Sequence, residues 1–222
     1  MDKLLSKAIC FEIKEQHLWL LPHKAIFWEE KKMLILSDLH FGKSTHFRKS
    51  GIPVPVKVFQ KNIDVLTTLI DVLQPKEICF LGDLFHSDHN VESEWFLERL
   101  NAYPGVKLEL VRGNHDILTA AYYKKAGIKV YPIVVNKGPF IFTHDPAEDH
   151  QTDKYVISGH LHPGVNLRGS GRQSLSLPCF YFGEKQALLP AFGAFTGLAI
   201  IRPKKKDKVF VIGDGKVYAI GE

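Results

Sequence analysis

Five short apolar runs in this chain each end in residues that can bind a metal ion or move a proton. The runs and the polar residues that follow them are Met33–Leu36 with Asp38 and His40, Ile78–Leu81 with Asp83, Val106–Val111 with Asn114, His115 and Asp116, Phe140–Phe142 with His144, and Tyr155–Ile157 with His160 and His162. In open α/β sheets, binding sites form beyond the carboxyl ends of the strands. The sequence therefore predicts that these five clusters meet at one edge of an α/β fold.

The segments around these runs show the periodicities of helices and strands. Apolar residues recur at steps of three and four over Val56–Leu73, which predicts a helix, and Val91–Leu100 is predicted to be helical with Trp95 and Leu100 on its core side. Alternating or short apolar segments predict strands at Ala8–Ile13, His17–Leu21, Ala25–Trp28, Gln173–Phe182, Gly197–Ile201, Lys208–Ile212 and Lys216–Ile220. No linker composition interrupts the chain, so we expect a single domain over residues 1–222.

Composition excludes several classes of protein. The 222 residues are 45% apolar and 24% charged, which argues against a disordered or fibrous chain. The formal charge of +5 permits an anionic partner and does not require one. The three cysteines lie far apart without a C-x-x-C pair, so neither a thiolate metal site nor a disulfide framework is expected. Without a signal peptide or an apolar stretch of about 18 residues, we expect a cytoplasmic protein with no membrane partner.

The residue types at the strand ends favour a transition-metal centre. Carboxylate, imidazole and amide ligands without thiolates suit Mn, Fe, Zn or a similar ion. In an extended segment residues i and i+2 point to the same side, so Asp38 with His40, and His160 with His162, can each present two ligands together. Seven candidate ligands exceed the needs of one ion once water and substrate are bound. Two ions that share one carboxylate, at a separation of about 3.5–4 Å, are the arrangement used in phosphoryl hydrolysis.

The order of these motifs is similar to a known family. Asp38-Leu39-His40, Gly82-Asp83, Gly113-Asn114-His115-Asp116, His144 and Gly159-His160-Leu161-His162 resemble the calcineurin-like metallophosphoesterase signature, over about residues 33–163. A closer resemblance, to the DNA-ligase-associated metallophosphoesterase subfamily of DNA-damage-response endonucleases, rests on Ser37–Pro55, Gly82–Ser87, Thr143–Pro146, Gly159–Pro163 and Leu189–Gly197. The resemblance implies an α/β fold of the metallophosphoesterase type, a four-layer α/β/β/α sandwich of two mixed β-sheets flanked by helices.

The resemblance also implies roles for individual residues. Asp38, His40 and His162 would hold one divalent ion, Asn114, His144 and His160 would hold the second, and Asp83 would bridge them. A hydroxide between the ions would attack phosphorus, and His115 would serve as general acid or stabilise charge in the transition state. Asp116 would either orient His115 or cap the following helix, and the candidate substrate contacts are Lys43, Arg48, His86 and Arg112. Manganese is the expected metal, with Fe, Zn and Ni as alternatives.

These observations lead to one main hypothesis and two alternatives. The main hypothesis is a di-metal phosphodiesterase, a nuclease acting on nucleic acid in DNA repair, with a functional link to an ATP-dependent DNA ligase, a helicase and an exonuclease. The first alternative is a phosphomonoesterase or a hydrolase of a small nucleotide, because fold does not decide substrate. The second is a non-catalytic scaffold, which the complete ligand set disfavours. The choice between DNA and RNA, the mode of cleavage and the oligomeric state, including a homodimer, stay open.

Overall fold

A computed structural model describes residues 2–43, 56–86, 91–146, 153–169, 171, 173–194 and 196–220. The helices are α1 (Asp2–Leu5), α2 (Val56–Leu73), α3 (Val91–Leu100) and α4 (Ala120–Lys125). The strands are β1 (Ile9–Ile13), β2 (Gln16–Leu21), β3 (Ala25–Trp28), β4 (Met33–Leu36), β5 (Glu77–Leu81), β6 (Lys107–Val111), β7 (Ile128–Tyr131), β8 (Val134–Lys137), β9 (Phe140–Thr143), β10 (Tyr155–Ser158), β11 (Pro163–Arg168), β12 (Ser174–Phe182), β13 (Gln186–Leu188), β14 (Ala199–Ile200), β15 (Lys208–Gly213) and β16 (Lys216–Ile220).

The first sheet has seven strands in sequence order, β1 to β7. β1 to β4 form an antiparallel meander, whereas β4 to β7 run parallel and are joined by crossovers through α2, α3 and α4. These helices pack on one face of the sheet, where Leu66 of α2, Phe96 of α3 and Tyr123 of α4 are buried in a common core with Phe80. Because β4, β5 and β6 are parallel, their carboxyl ends lie at the same edge.

The second sheet is also mixed, and it packs face to face on the first. Its strands follow the order β14-β11-β12-β13-β10-β9-β8, with β15 paired to β12 and β16 paired to β15. β9, β10 and β13 run parallel to one another, so the ends of β9 and β10 share an edge. Trp28 of the first sheet meets Phe140 of the second edge-on at 5.0 Å in the core between them. The predicted α/β fold of two mixed sheets with flanking helices is confirmed.

Most elements lie close to their predicted positions, and the differences have local causes. The helix predicted over Val56–Leu73 is present, and it ends where Gln74 adopts a left-handed φ of 46° before Pro75. The expectation that Trp95 faces the core is wrong, because its side chain is 46% exposed. Phe96 and Leu100, four residues apart on one helix face, are buried instead. The sequence did not indicate α1, α4, β7, β8, β11 or β13, each of which has six residues or fewer and shows no clear period.

Two smaller expectations concern cysteines and membranes. Cys10, Cys79 and Cys179 are all free, and the side chains of Cys79 and Cys179 are fully buried. Among the residues that the structure describes, no helix is long and apolar enough to cross a bilayer.

Candidate metal centre

The two sheets bring six predicted ligands together in two groups. Asp38, His40 and His162 form the first group, and Asp83, His144 and His160 form the second, with the ligand atoms of each group within 4.8 Å of one another. Each group combines side chains that follow strands of the first sheet with imidazoles that follow β9 or β10 of the second. The strand ends of both sheets therefore line one cleft edge.

Asp83 lies between the two groups. Its Oδ2 is 3.7 Å from His40 Nε2 on one side and 3.6 Å from His144 Nε2 on the other. Asn114 belongs with the second group, because its Oδ1 is 3.2 Å from His144 Nε2, which is itself 3.0 Å from His160 Nδ1. This geometry suits two ions that share the carboxylate of Asp83, which is the arrangement that the resemblance implies.

The ligand-bearing loops leave their strands through left-handed backbone conformations. The residues with positive φ in these loops are Asp38 (54°), His40 (50°), Asp83 (51°), His160 (66°) and His162 (49°). The expectation that Asp38 with His40, and His160 with His162, share a side because each segment is extended is therefore wrong in its mechanism. All four residues turn the chain, and His160 and His162 divide between the two groups. Such conformations cost on the order of 1–3 kcal/mol each and cluster at functional sites.

Hydrogen bonds fix the ligands relative to the backbone of neighbouring loops. The amide of His160 donates to Asp38 Oδ2 at 3.0 Å, which ties the second sheet to the first. His144 Nδ1 lies 2.9 Å from the carbonyl oxygen of Leu81. Because a carbonyl can only accept, Nδ1 carries the proton, so in the neutral ring Nε2 is the nitrogen that can bind a metal. Such bonds commonly set the tautomer of a metal-binding histidine.

Burial and charge shift the pKa values of three of the ligands. Burial lowers the pKa of His40 to about 3, against the opposing charge of Asp38, so its imidazole is neutral. Burial would raise the pKa of Asp38, but His162, with Nε2 3.1 Å from Asp38 Oδ1, brings it below its ordinary value. Burial raises the pKa of Asp83, and the neighbouring His144 only partly opposes this. Neutral imidazoles beside a carboxylate are the forms that bind metals.

One buried oxygen fits a cation in this cleft. Asp38 is fully buried, and among the described residues its Oδ1 has no hydrogen bond of suitable geometry, although His162 Nε2 approaches it to 3.1 Å. A buried ionised oxygen of this kind is costly unless it is paired with a charge or bound to a metal. The residues of both groups therefore fit two divalent ions, held by the ligands named above, and their oxygen and nitrogen donors suit a transition metal.

His115 borders the first group. Its amide donates to Asp83 Oδ1 at 2.9 Å, and its ring stacks on His86 with centroids 4.7 Å apart. The ring centroid of His40 lies 5.3 Å from that of His115, and His86 Nδ1 is 3.4 Å from His40 Nδ1. The predicted general acid and one predicted substrate contact thus lie next to a predicted ligand.

Asp116 is almost fully buried, at 2% exposure, and among the described residues its side-chain contacts are neither with the His115 ring nor with the first amides of α4. Its oxygens accept from the amides of Phe85 (3.1 Å) and Gly113 (2.9 Å), and the hydroxyl of Tyr123 lies 3.5 Å away. None of these partners is the ring of His115. The helix α4 is capped by Thr119, whose hydroxyl accepts from the amide of Tyr122 at 3.3 Å. Burial raises the pKa of Asp116 to about 6, although its backbone hydrogen bonds oppose this.

The other candidate substrate contacts have different surroundings. The backbone of Lys43 lies beside that of His40, because the Lys43 amide donates to the His40 carbonyl at 3.1 Å. Burial lowers the pKa of Lys43, while the charges of Asp83 and Asp38 act in the opposite direction. The guanidinium of Arg112 donates to the carbonyl of Leu118 at 3.2 Å. Arg48 lies outside the described residues.

Two residues support the loop after β4 that carries Asp38 and His40, which we call the first ligand loop. No evident signal in the sequence indicates this role for either residue. Glu92, buried in the first turn of α3, accepts from the amide of Gly42 at 2.9 Å, although an acidic residue there usually indicates a solvated helix start. Gly193 donates its amide to the Asp38 carbonyl at 3.1 Å, and a Cβ at this position would lie 2.7 Å from the carbonyl oxygen of Leu39. Only glycine permits this close approach, which no local pattern reveals.

Comparison with known proteins agrees with this geometry. The family model described as calcineurin-like phosphoesterase matches residues 31–218. The crystal structure of a Pseudomonas putida nuclease MPE is similar with a TM-score of 0.82 and 29% identity, covering 96% of this chain and 100% of that one. No curated protein sequence gives a significant match.

Two further structures show weaker likeness. A protein of unknown function from Aquifex aeolicus is 26% identical, with a TM-score of 0.41 over 63% of this chain and 82% of its own. YfcE, a phosphoesterase from E. coli, is 13% identical, with a TM-score of 0.45 over 85% of this chain and 98% of its own.

Proposed function

The chain belongs to the calcineurin-like phosphoesterase family, and we propose that within this family of metal-dependent hydrolases it is a phosphodiesterase that cleaves nucleic acid in DNA repair. The observation that carries the proposal is the likeness to the Pseudomonas putida nuclease, which extends over 96% of this chain. The wider family alone supports only phosphoester hydrolysis, so the choice of diester rests on this relative.

The described residues supply the parts that diester hydrolysis needs. Two divalent ions, proposed to be Mn, supply positive charge and an activated water when bound. Asp83 holds the amide of His115 through Oδ1 and turns Oδ2 between the two ligand groups. This hydrogen bond holds the His115 backbone beside Asp83, and the ring centroid lies 5.3 Å from that of His40. An imidazole in this position can act as a general acid.

We further place this activity in the cytoplasm, with a functional link to an ATP-dependent DNA ligase, a helicase and an exonuclease. The two buried, free thiols of Cys79 and Cys179 support a reducing compartment. The link to the repair enzymes follows from the subfamily resemblance of the motifs. It can be tested by copurification of the tagged protein with those enzymes.

The first test compares diester and monoester hydrolysis in the presence of Mn²⁺. Bis-p-nitrophenyl phosphate and p-nitrophenyl phosphate are assayed with the wild-type protein, Asp83→Ala and His115→Ala. We expect diester turnover to exceed monoester turnover and His115→Ala to lose about 10²–10⁴-fold, the usual contribution of a general acid. Asp83→Ala should lose more, because both ligand groups contact this carboxylate. His17→Ala, which removes an exposed imidazole, and Asp64→Ala, which removes an exposed helical carboxylate, are the matched controls.

The second test is a substrate panel of single-stranded DNA, duplex DNA, RNA and cyclic nucleotides. Cleavage of a circular single strand would show endonucleolytic activity, because a circle offers no end. Faster turnover of the monoester or of a cyclic nucleotide than of any polynucleotide would favour the small-nucleotide alternative. Wild-type turnover by both Asp83→Ala and His115→Ala would show that the assigned site is wrong.

A further inference from the structure

Two hydrogen bonds join the loops that carry Asp83 and His115. In each bond a carboxylate of one loop accepts from a backbone amide of the other. The parallel ladder between β5 and β6 ends at the pair Leu81 and Val111, so the residues beyond it need other partners. Asp83 Oδ1 accepts from the amide of His115 in the next loop at 2.9 Å. In return, Asp116 Oδ1 accepts from the amide of Phe85 at 3.1 Å. The two acids thus form a reciprocal clasp across the end of the ladder.

The second oxygen of Asp116 closes its own loop. Oδ2 accepts from the amide of Gly113 at 2.9 Å, and the amide of Asp116 reaches the Gly113 carbonyl at 3.3 Å. The two oxygens therefore serve different loops, and a side chain with a single acceptor atom cannot replace both bonds. Phe85 in turn pairs with Phe41 in an isolated parallel bridge beside His40. The clasp consequently connects three of the loops that hold candidate ligands.

From this arrangement we propose that Asp116 is a positioning residue, which acts through the clasp to hold Asp83 and His115 in register without touching ion or substrate. Its role rests on the metal centre described above and deepens the proposed function. Two properties separate it from an ordinary buried acid. Its partners are the amides of Gly113, directly before the ligand Asn114, and of Phe85, two residues after the ligand Asp83. The opposite bond of the clasp is accepted by Asp83 itself. Outer partners of this kind usually contribute 10–100-fold to metal affinity or activity.

The test replaces Asp116 with asparagine, which keeps the size of the side chain and removes one acceptor. We expect Asp116→Asn to lower kcat on bis-p-nitrophenyl phosphate about 10–100-fold with a smaller change in KM, and to weaken binding of one Mn²⁺ by a similar factor. Isothermal titration with Mn²⁺ measures the affinities and the number of ions. The electron paramagnetic resonance spectrum of the Mn-loaded protein reports whether two ions remain coupled, a signature that general destabilisation does not change.

Two control variants separate positioning from stability. Ile70→Val removes one methyl from the buried face of α2 and lowers stability without contact to the clasp. Tyr123→Phe removes the weak hydroxyl contact to Asp116 and leaves both backbone bonds. Both controls should keep the two Mn²⁺ affinities and the coupled spectrum. Wild-type kcat and Mn²⁺ binding in Asp116→Asn would overturn the proposal.

A measurement on the wild-type protein covers the case in which Asp116→Asn does not fold. Native-state amide exchange should show the amides of Phe85 and Gly113 protected to the same degree as the last amides of β5 and β6. Rapid exchange of these two amides would overturn the clasp. If the wild-type protein binds two Mn²⁺ ions but hydrolyses no diester, the proposed function fails while the binding and exchange results still decide the role of Asp116.

Discussion

Replacement of Gly113 by alanine is a sensitive single-methyl test of the site. A Cβ at this position would lie 2.3 Å from Asp83 Oδ1 and 2.4 Å from Asp83 N. Ordinary van der Waals contact begins at 3.4 Å, so the two loops must separate by about 1 Å, a misplacement that can reduce turnover about 10²-fold. Because one of the two contacts is backbone, rotation of the Asp83 side chain cannot relieve it. Gly113 has no positive φ, so the effect is purely steric.

The assay combines turnover, metal content and stability. We expect Gly113→Ala to lose about 10²-fold in kcat on bis-p-nitrophenyl phosphate with Mn²⁺. Overpacking of this size also lowers the free energy of unfolding by about 1–3 kcal/mol, measured by urea denaturation of the metal-free protein. Gly105→Ala is the matched control, because a Cβ there meets nothing within 4 Å and its φ is not positive. Wild-type kcat with two bound ions in Gly113→Ala would refute the assignment of Asp83 to the centre.

Two further predictions concern ion pairs away from the cleft. Lys137 of β8 pairs with two carboxylates of the first sheet, Glu77 and, at 2.6 Å, Glu109. Lys137→Met should leave both carboxylates without their cation and lower the free energy of unfolding in urea by about 3 kcal/mol. The exposed Lys205→Met should lower it by almost nothing. The hydrogen bond from His17 Nδ1 to Glu30, at 2.7 Å, raises the pKa of His17 above 6.5, and Glu30→Gln should return it toward 6.5 in an NMR titration. Since the folded-state pKa is the higher one, the charged pair adds stability below pH 6.5 that is lost as pH rises through the folded-state pKa of His17; an unchanged titration in Glu30→Gln would contradict this.

The sequence was most informative where chemistry and periodicity coincide. Strand ends marked by Asp38, Asp83 and His144 could be recognised because an apolar run changes abruptly into ligand residues, and parallel strands bring such ends to one edge. The helix Val56–Leu73 is predictable because its long apolar face shows a clear period. Trp95 was misplaced because a ten-residue helix offers two apolar faces, and the choice between them depends on the sheet that packs against it.

What the sequence could not predict depends on contacts between distant loops. The left-handed turn at His160 is set by the carboxylate of Asp38, far away in the chain, which binds its amide. The burial of Glu92 and the close approach of Gly193 have the same origin, because each is determined by the backbone of the first ligand loop. The role of Asp116 is likewise visible only once the loops after β5 and β6 are side by side.

Each ligand group takes side chains from both sheets, and this has a consequence for synthesis of the protein. Asp38 leaves the ribosome long before His160 and His162, so the emerging N-terminal half carries no complete group. Completion of either group waits until the second sheet has been made and has docked on the first. A product of interrupted translation that ends before β10 therefore lacks His160 and His162, so neither group is complete and no metal centre forms.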